Sequence, residues 1–280
     1  MPNYVRNIIF ITAKSQERLD EVMKAIKFDD SDHSLDFNTV IPMPKELDID
    51  DSSYIYDAVY QYLSACNPDN GVRMFGNDPF SSYLMSRADY FELKQKVEVS
   101  NKFSYLDVTD KMALHNLKSK MVHDGKFYVD LFLKYNAFTW YDWCISNWGT
   151  KWNSFHYDEL EDETPEFVKE RCKETPFTGY AIFDTAWNAP HPVIEKFAEL
   201  YPDLELHHGW SDEDTACNLG TRDYANGEIV FENEMEKQTK EAYELYAKIW
   251  DEDLEYSGYI FSEEDGTYHY DEDKDQRWND

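Results

Sequence analysis

Two short tryptophan-rich segments contain the side chains whose types and spacing are best suited to binding a ligand. The first is residues 147–153, Asn-Trp-Gly-Thr-Lys-Trp-Asn, and the second is residues 183–187, Phe-Asp-Thr-Ala-Trp. A lysine among tryptophans can bind an anionic or planar ligand by charge and by stacking. The alternative is structural: the tryptophans fill the core, Trp148 and Trp187 are largely buried, and the lysine extends over them into solvent. The predicted ligand-binding residues are Trp148, Lys151, Trp152 and Trp187.

Acidic clusters are a second kind of candidate site. The chain has 57 acidic and 27 basic residues and a net charge of −30, of which −24 is carried by residues 151–280. Nucleic acids and anionic membranes attract surfaces rich in lysine and arginine, so this composition argues against direct binding to either and favours a partner with a basic surface. The alternative for any single cluster is a solvated surface. The predicted partner-binding residues are Asp158, Glu159, Glu161, Asp162, Glu163, Asp212, Glu213 and Asp214.

Other residues with reactive side chains do not complete a catalytic or metal site. His207 and His208 are adjacent on a predicted strand, so their side chains point to opposite faces and cannot bind one metal ion. Cys144 and His156 could act as nucleophile and base, but the sequence supplies no third group to orient them. No catalytic residue, metal or cofactor is therefore predicted, and an enzyme is unsupported without being excluded.

Hydrophobic patterning predicts the elements that would position these residues. Runs of β-branched and aromatic residues predict strands, and apolar residues at helical spacing predict helices. The residues after the predicted last core strand continue with a hairpin at Asn226-Gly227, a helix and a second hairpin around Asp265-Gly266. The core elements are a strand at Tyr4–Thr12, a helix at 15–27, a strand at Leu35–Met43, a strand at Phe177–Trp187, a helix at Pro190–Tyr201 and a strand at Leu204–Trp210; the later helix is Glu234–Trp250.

The expected location of the protein is the cytoplasm. The first residues lack the basic segment of a signal peptide, and no run approaches the roughly 20 apolar residues of a membrane span. The four cysteines match no zinc-binding spacing, and the expected cytoplasmic location predicts that they are reduced thiols.

The tryptophan-rich segments, together with Phe-Asn-Thr-Val-Ile-Pro-Met-Pro at residues 37–44, resemble the Api92-like family of phage and plasmid proteins. The characteristic module of that family is a ferredoxin-like domain of the YubB type. The resemblance implies an α+β fold and no particular activity. The expected organisation is a ferredoxin-like βαββαβ core from residues 1–50 and 140–232, a helical insertion at 51–139, and an acidic C-terminal extension at 233–280 with a helix and a hairpin.

Three function hypotheses follow. The first is a non-enzymatic acidic protein of a phage or mobile element that inhibits a host nucleic-acid-binding or defence protein by mimicking DNA. Its provenance comes only from the resemblance, whereas its chemistry comes from the charge. The second is a module that binds or sequesters a small ligand at the tryptophan-rich segments, and the third is a metal-free hydrolase.

Overall fold

A five-stranded antiparallel sheet forms the centre of the larger of the two compact units into which the chain divides. The computed structural model describes residues 3–26, 35–66, 108–155 and 164–277, with the main chain alone at 63–66 and 108–118. The larger unit consists of Met1–Met43 and Cys144–Asp280, and the smaller consists of Pro44–Trp143. The acidic candidates Asp158–Glu163 lie outside the described residues.

The strands of the sheet follow the order β2-β1-β3-β4-β5, and every neighbouring pair is antiparallel. A separate two-stranded ladder, β6-β7, lies near the C-terminus. The strands are β1 (Tyr4–Thr12), β2 (Thr178–Ala186), β3 (Glu205–Asp212), β4 (Leu219–Ala225), β5 (Glu228–Glu234), β6 (Ser257–Ser262) and β7 (Thr267–Asp275).

Strand β1 lies between β2 and β3 because it is apolar on both faces. Its run Ile8–Ile11 is buried throughout, which is typical of a central strand. Strands β2 and β3 each pair antiparallel with β1, so they are parallel to one another and joined by a crossover helix. This split βαβ unit is the repeating element of ferredoxin-like folds. The predicted α+β class and the shared sheet of Tyr4–Thr12 and Phe177–Trp187 are confirmed.

The strand predicted at Leu35–Met43 is wrong. The segment contains a short 3₁₀ turn at Phe37–Thr39, because the Asp36 side chain accepts a hydrogen bond from the Asn38 backbone N–H at 3.0 Å. Such side-chain caps compete with extended structure. At the free edge of β2 a different residue pairs instead: the main chain of Phe155 exchanges two hydrogen bonds with Asp184, at 3.1 and 2.7 Å.

Helices cover both faces of the sheet. On one face, Leu19 and Met23 of helix α1 pack against Gly179 of β2. On the same face, Ala189, which lies just before helix α6, packs with Val5 of β1 and Trp210 of β3. On the other face, α5 and α7 supply Val168 and Ile249 to a cluster with Ile8 and Phe10. The predicted placement of the helices at 15–27 and 190–201 on one face is therefore confirmed. The helices are α1 (Gln16–Ile26), α2 (Ser53–Cys66), α3 (Val108–Tyr135), α4 (Trp140–Trp148), α5 (Glu166–Glu174), α6 (His191–Leu200) and α7 (Lys240–Trp250).

The chain after β3 contains both predicted hairpins and one unpredicted strand. Asn226 and Gly227 have φ of 55° and 82° and form the turn that connects β4 to β5. The sequence pattern did not indicate β4. Gly266, with φ of 73°, lies in the turn between β6 and β7. The helix predicted from Glu234 begins later, at Lys240. Thr239 is its N-cap, because the Thr239 hydroxyl oxygen accepts a hydrogen bond from the Ala242 N–H at 3.2 Å.

The smaller unit has its own apolar cluster. Ile55 and Val59 of α2 pack with Phe132 and Phe138. Gly125 permits α2 and α3 to approach closely, since an added Cβ would lie 2.0 Å from the Ala58 carbonyl oxygen. Within the described residues of the whole chain, no helix is both long and apolar enough to cross a membrane.

Candidate binding sites

Trp148 is part of the core and cannot contact a ligand in solution. Its exposure is 2%, and its indole Nε1–H donates to the Ile41 carbonyl oxygen at 2.9 Å. Its ring meets that of Phe37 edge-on, with 5.6 Å between the centroids. The structural interpretation is therefore confirmed for this residue.

The remaining three residues of the tryptophan-rich candidate come together. The Lys151 ammonium nitrogen lies 4.7 Å from the ring centroid of Trp152 and 5.1 Å from that of Trp187. Both distances are within the range of favourable cation–π contact. Trp152 and Trp187 are partly buried, so Trp187 is less enclosed than Trp148.

A clamp between the two segments fixes this arrangement. The buried Thr150 hydroxyl donates to the Ala186 carbonyl oxygen at 2.7 Å and accepts from the Ala186 N–H at 3.1 Å. Gly149 and Trp187 both have positive φ, 77° and 76°, which turns the chain sharply on either side of the clamp. The Trp187 N–H donates to the Asn3 carbonyl oxygen at 2.8 Å, so the strained backbone at Trp187 is held by hydrogen bonds.

The acidic loop at Asp212–Asp214 contains one interior carboxylate and two exposed ones. Asp212 is only 6% exposed, and it accepts hydrogen bonds from the Asp214 N–H at 2.9 Å and the Asn218 amide at 3.3 Å. Its role is to shape the loop. Glu213 and Asp214 are exposed, although each also accepts one hydrogen bond, from the Tyr4 N–H and the Asn3 amide respectively. The surface expected of the loop is therefore presented by Glu213 and Asp214.

The fold brings this loop together with the acidic C-terminal hairpin. Glu213 and Asp214 line one side of a cleft of about 580 Å³, and residues of β7 line another. Four tyrosines also line the cleft, and sequence reasoning missed them as site residues: Tyr243, Tyr259, Tyr268 and Tyr270. Their sequence signal was the unusual density of aromatics in an acidic tail.

The adjacent histidines lie on opposite faces of β3, as predicted. The Nδ1 atom of His207 is hydrogen-bonded to Asp223, whereas His208 is fully buried and its Nε2 lies 3.0 Å from the Asn7 amide oxygen. Burial lowers the pKa of His208 well below its usual value, and burial lowers that of its neighbour His191 to about 4. Both rings are therefore neutral near pH 7. No group of three or more metal-binding side chains occurs in the parts of the chain that the structure describes.

Cys144 does not have the environment of an activated nucleophile. It is buried, and burial raises the pKa of its thiol to about 12. The thiolate is the reactive form, so a raised pKa suppresses reactivity. The possible base His156 lies outside the described residues.

A family model supports the fold assignment for part of the chain. The family model for the ferredoxin-like domain in Api92-like protein matches residues 169–271, a span that starts in α5 and ends in β7. The predicted resemblance to the Api92-like family is thereby confirmed, and the chain carries a ferredoxin-like domain of that type. A crystal structure of protein Api92 from Yersinia pseudotuberculosis is similar at 12% identity and a TM-score of 0.32, covering 84% of this chain and 99% of that one. A comparison with curated proteins gave no match.

Proposed function

We propose that the protein is a non-enzymatic binding protein whose carboxylates occupy the basic, nucleic-acid-binding surface of a partner protein. The observation that carries this proposal is the meeting of two acidic segments at one cleft, where Glu213 and Asp214 face the hairpin of β6 and β7. In its specific form, suggested by the resemblance to phage and plasmid proteins, the partner is a host defence protein that the acidic surface inhibits as a DNA mimic.

The hairpin presents most of its charge on exposed side chains. It carries seven acidic residues between Ser257 and Arg277, and all except Asp275 are exposed. Asp271, Glu272 and Asp273 are consecutive on β7, where the register with β6 shifts. The phosphates of one DNA strand follow one another at about 3.4 Å along the helix axis. We expect this run of three adjacent carboxylates to take the place of neighbouring phosphates.

The buried carboxylate of the hairpin, Asp275, anchors the end of β7. Asp275 is 2% exposed and forms a two-pronged ion pair with Arg277, at 3.0 and 2.7 Å, while the Tyr270 hydroxyl donates to it at 2.9 Å. These contacts fix the end of β7 without consuming the exposed carboxylates. Those remain available to a basic partner, whose approach they would accelerate by long-range attraction.

The test is competition with DNA. Proteins that bind the immobilised chain from a bacterial lysate at low salt and elute at high salt would be identified, purified, and assayed for binding to a duplex DNA in the presence of increasing amounts of this protein. We expect displacement of the DNA, weaker at higher ionic strength because screening acts beyond about 8–10 Å.

Matched variants make the test specific to the hairpin. Neutralising Asp271, Glu272 and Asp273 to Asn, Gln and Asn should abolish displacement, whereas neutralising the same number of carboxylates elsewhere, at Glu21, Glu199 and Glu228, should not. Surface changes of this kind cost about 0.5 kcal/mol or less each, so both variants should fold. A partner that binds equally well in high salt, or to both variants alike, would contradict the proposal. The cluster Asp158–Glu163 can be neutralised in the same assay.

A second candidate function, ligand binding at the tryptophan-rich segments, is favoured by the position of the Lys151 ammonium between two partly exposed indole rings. Adenosine monophosphate is a suitable probe because it is both planar and anionic. Binding should quench tryptophan fluorescence and be lost in Lys151→Met. Unchanged fluorescence at millimolar probe would reject this candidate.

A further inference from the structure

The cleft between the acidic loop and the C-terminal hairpin has an aromatic wall. Tyr243 of α7 is 6% exposed, and its ring centroid lies 5.4 Å from that of Tyr259 and 5.4 Å from that of Tyr268. Tyr259 in turn lies 5.3 Å from Tyr270. Neighbouring rings are inclined by 48° to 51°, so the four tyrosines cannot form a flat stack. The contacts run from the buried Tyr243 to the exposed Tyr270 on β7.

The charge of the cleft is negative. The exposed carboxylates of Glu213 and Asp214 stand beside the tyrosines. Among the ten described residues that line the cleft, none is a lysine or an arginine. His269 is the lining residue that can carry a positive charge, and its Nε2 is paired with Asp265 at 2.6 Å. No cationic side chain of the described lining therefore neutralises Glu213 and Asp214 from within the cleft.

The walls of the cleft are tied together by hydrogen bonds. The Thr267 hydroxyl of β7 donates to the Gln238 carbonyl oxygen at 2.8 Å, and the Gln238 N–H donates to the Ala216 carbonyl oxygen at 3.0 Å. These two bonds connect the hairpin, the segment before α7 and the acidic loop in series. Tyr243 belongs to the apolar cluster beneath them. A site held in this way loses little further freedom when a ligand binds.

We infer that this cleft binds an organic ammonium group, and that its source is a lysine side chain of the basic partner. This inference rests on the proposed function for the source of the cation, and on the cleft alone for its chemistry. The negative faces of aromatic rings attract ammonium groups, and adjacent carboxylates add direct charge attraction. Tyr243 is 6% exposed and supports the rings of Tyr259 and Tyr268, so the partly exposed tyrosines present their π faces to the ligand.

The size of the cleft indicates more than a single ammonium group. Its volume of about 580 Å³ lies within the range of about 300–1,000 Å³ typical of ligand sites. A lysine with its flanking peptide residues fits this description. A free polyamine has the same chemistry, so the experiment must separate the two sources.

The experiment measures binding of purified probes to the full chain. The probes are a short lysine-containing peptide, the same peptide with its lysines acetylated, and spermidine, each followed by calorimetry and by chemical-shift changes of tyrosine side chains. We expect the lysine peptide to bind and the acetylated peptide not to bind, because acetylation removes the charge.

Two variants and a control test the location. Glu213→Gln with Asp214→Asn keeps the hydrogen-bond acceptors used by Tyr4 and Asn3 while removing both charges. Tyr270→Leu removes an aromatic face at a residue that is 49% exposed, and Tyr270→Phe, which keeps the ring, isolates the effect of losing the hydroxyl that donates to Asp275. The double variant and Tyr270→Leu should each weaken binding about tenfold or more, which is about 1.4 kcal/mol. The control, Glu199→Gln with Glu228→Gln, makes the same charge change at residues that do not line the cleft and should bind as the parent does.

The outcomes separate this inference from the proposed function. If neither the peptide nor spermidine binds, or if the cleft variants bind as well as the control, the inference is overturned. If spermidine alone binds, the ammonium chemistry stands and the partner lysine is rejected. The purified probes need no partner, and the cleft variants leave Asp271, Glu272 and Asp273 intact. Failure of DNA displacement with normal peptide binding would therefore reject only the proposed function.

Discussion

Replacing Asp184 by asparagine should destabilise the larger unit strongly, because Asp184 is the buried half of an ion pair. Its side chain is fully buried, and that of Arg6 is 13% exposed. The Arg6 Nε and Nη2 atoms donate to the two carboxylate oxygens at 3.0 and 3.3 Å. The guanidinium carbon also lies 4.3 Å from the centroid of the Trp250 ring, so the cation is enclosed from the other side.

The expected loss of stability follows from the buried carboxylate charge that asparagine does not carry. Removing one partner of a buried pair typically costs about 3–5 kcal/mol because the other charge stays buried. Asparagine keeps one acceptor oxygen, and Arg6 has limited access to water, so we expect the lower end, about 3 kcal/mol. Denaturant unfolding followed by tryptophan fluorescence would measure it.

A matched surface pair provides the control. Arg18 and Asp203 also form a close pair, at 2.8 Å, but their side chains are 29% and 37% exposed. Asp203→Asn should therefore cost no more than about 1 kcal/mol. Adding Arg6→Met to Asp184→Asn should recover part of the loss, since no buried cation then remains. Equal, small effects of Asp184→Asn and Asp203→Asn would refute the reasoning.

Three further predictions concern the histidine pair and the tryptophan-rich clamp. His191 has a folded-state pKa of about 4 against 6.5, and the pKa of His208 is also lowered well below 6.5, so the unfolded chain binds more protons than the folded chain below pH 6.5. Stability should be full above pH 6.5 and fall toward pH 4. His191→Gln should remove about 1–3 kcal/mol of that fall and leave the part due to His208. Trp148→Ala should lower the free energy of unfolding by about 3–5 kcal/mol, because it truncates a core side chain. Trp187→Ala should lower it clearly less, because the Trp187 ring is partly exposed. Equal losses of stability in thermal unfolding would contradict this. Thr150→Val preserves the shape of the side chain but removes the hydroxyl that is hydrogen-bonded to the buried N–H and C=O of Ala186, so we expect a loss of stability of about 2–3 kcal/mol. Thr12→Val is the control and should cost less, because the Thr12 hydroxyl is partly exposed and pairs with that of Thr178 at 2.8 Å.

The central elements of the fold could be predicted from sequence because their patterns are unambiguous. Strand β1 is continuously apolar, and α6 repeats Val193, Ile194 and Phe197 at helical spacing. The segment at Leu35–Met43 looked like a strand for the same apolar reason, yet the Asp36 side chain makes a local cap that hydrophobic pattern does not reveal. Strand β4 was missed because a buried arginine, Arg222, interrupts its apolar alternation.

The candidate cleft could not be predicted because it depends on register. Glu213 and Tyr270 are 57 positions apart, and their meeting requires both the turn after β3 and the pairing of β6 with β7. The tryptophan-rich site is the opposite case. Its residues are marked by sequence, but whether each one is buried depends on the turn at Gly149 and on the positive φ of Trp187.

The carboxylates of the larger unit fall into two groups, and only one of them can contribute to a binding surface. Asp184, Asp212 and Asp275 are buried, and each is committed to an arginine or to several hydrogen bonds. Neutralising any of these would damage the fold and would say nothing about a partner. Asp265 is exposed but is paired with His269. The exposed carboxylates proposed to contact a partner, at Glu213, Asp214 and 271–273, are not committed in this way, and glutamine and asparagine can preserve the hydrogen bonds that Glu213 and Asp214 accept. A loss of binding after their neutralisation, with unfolding unchanged, would therefore report on recognition alone.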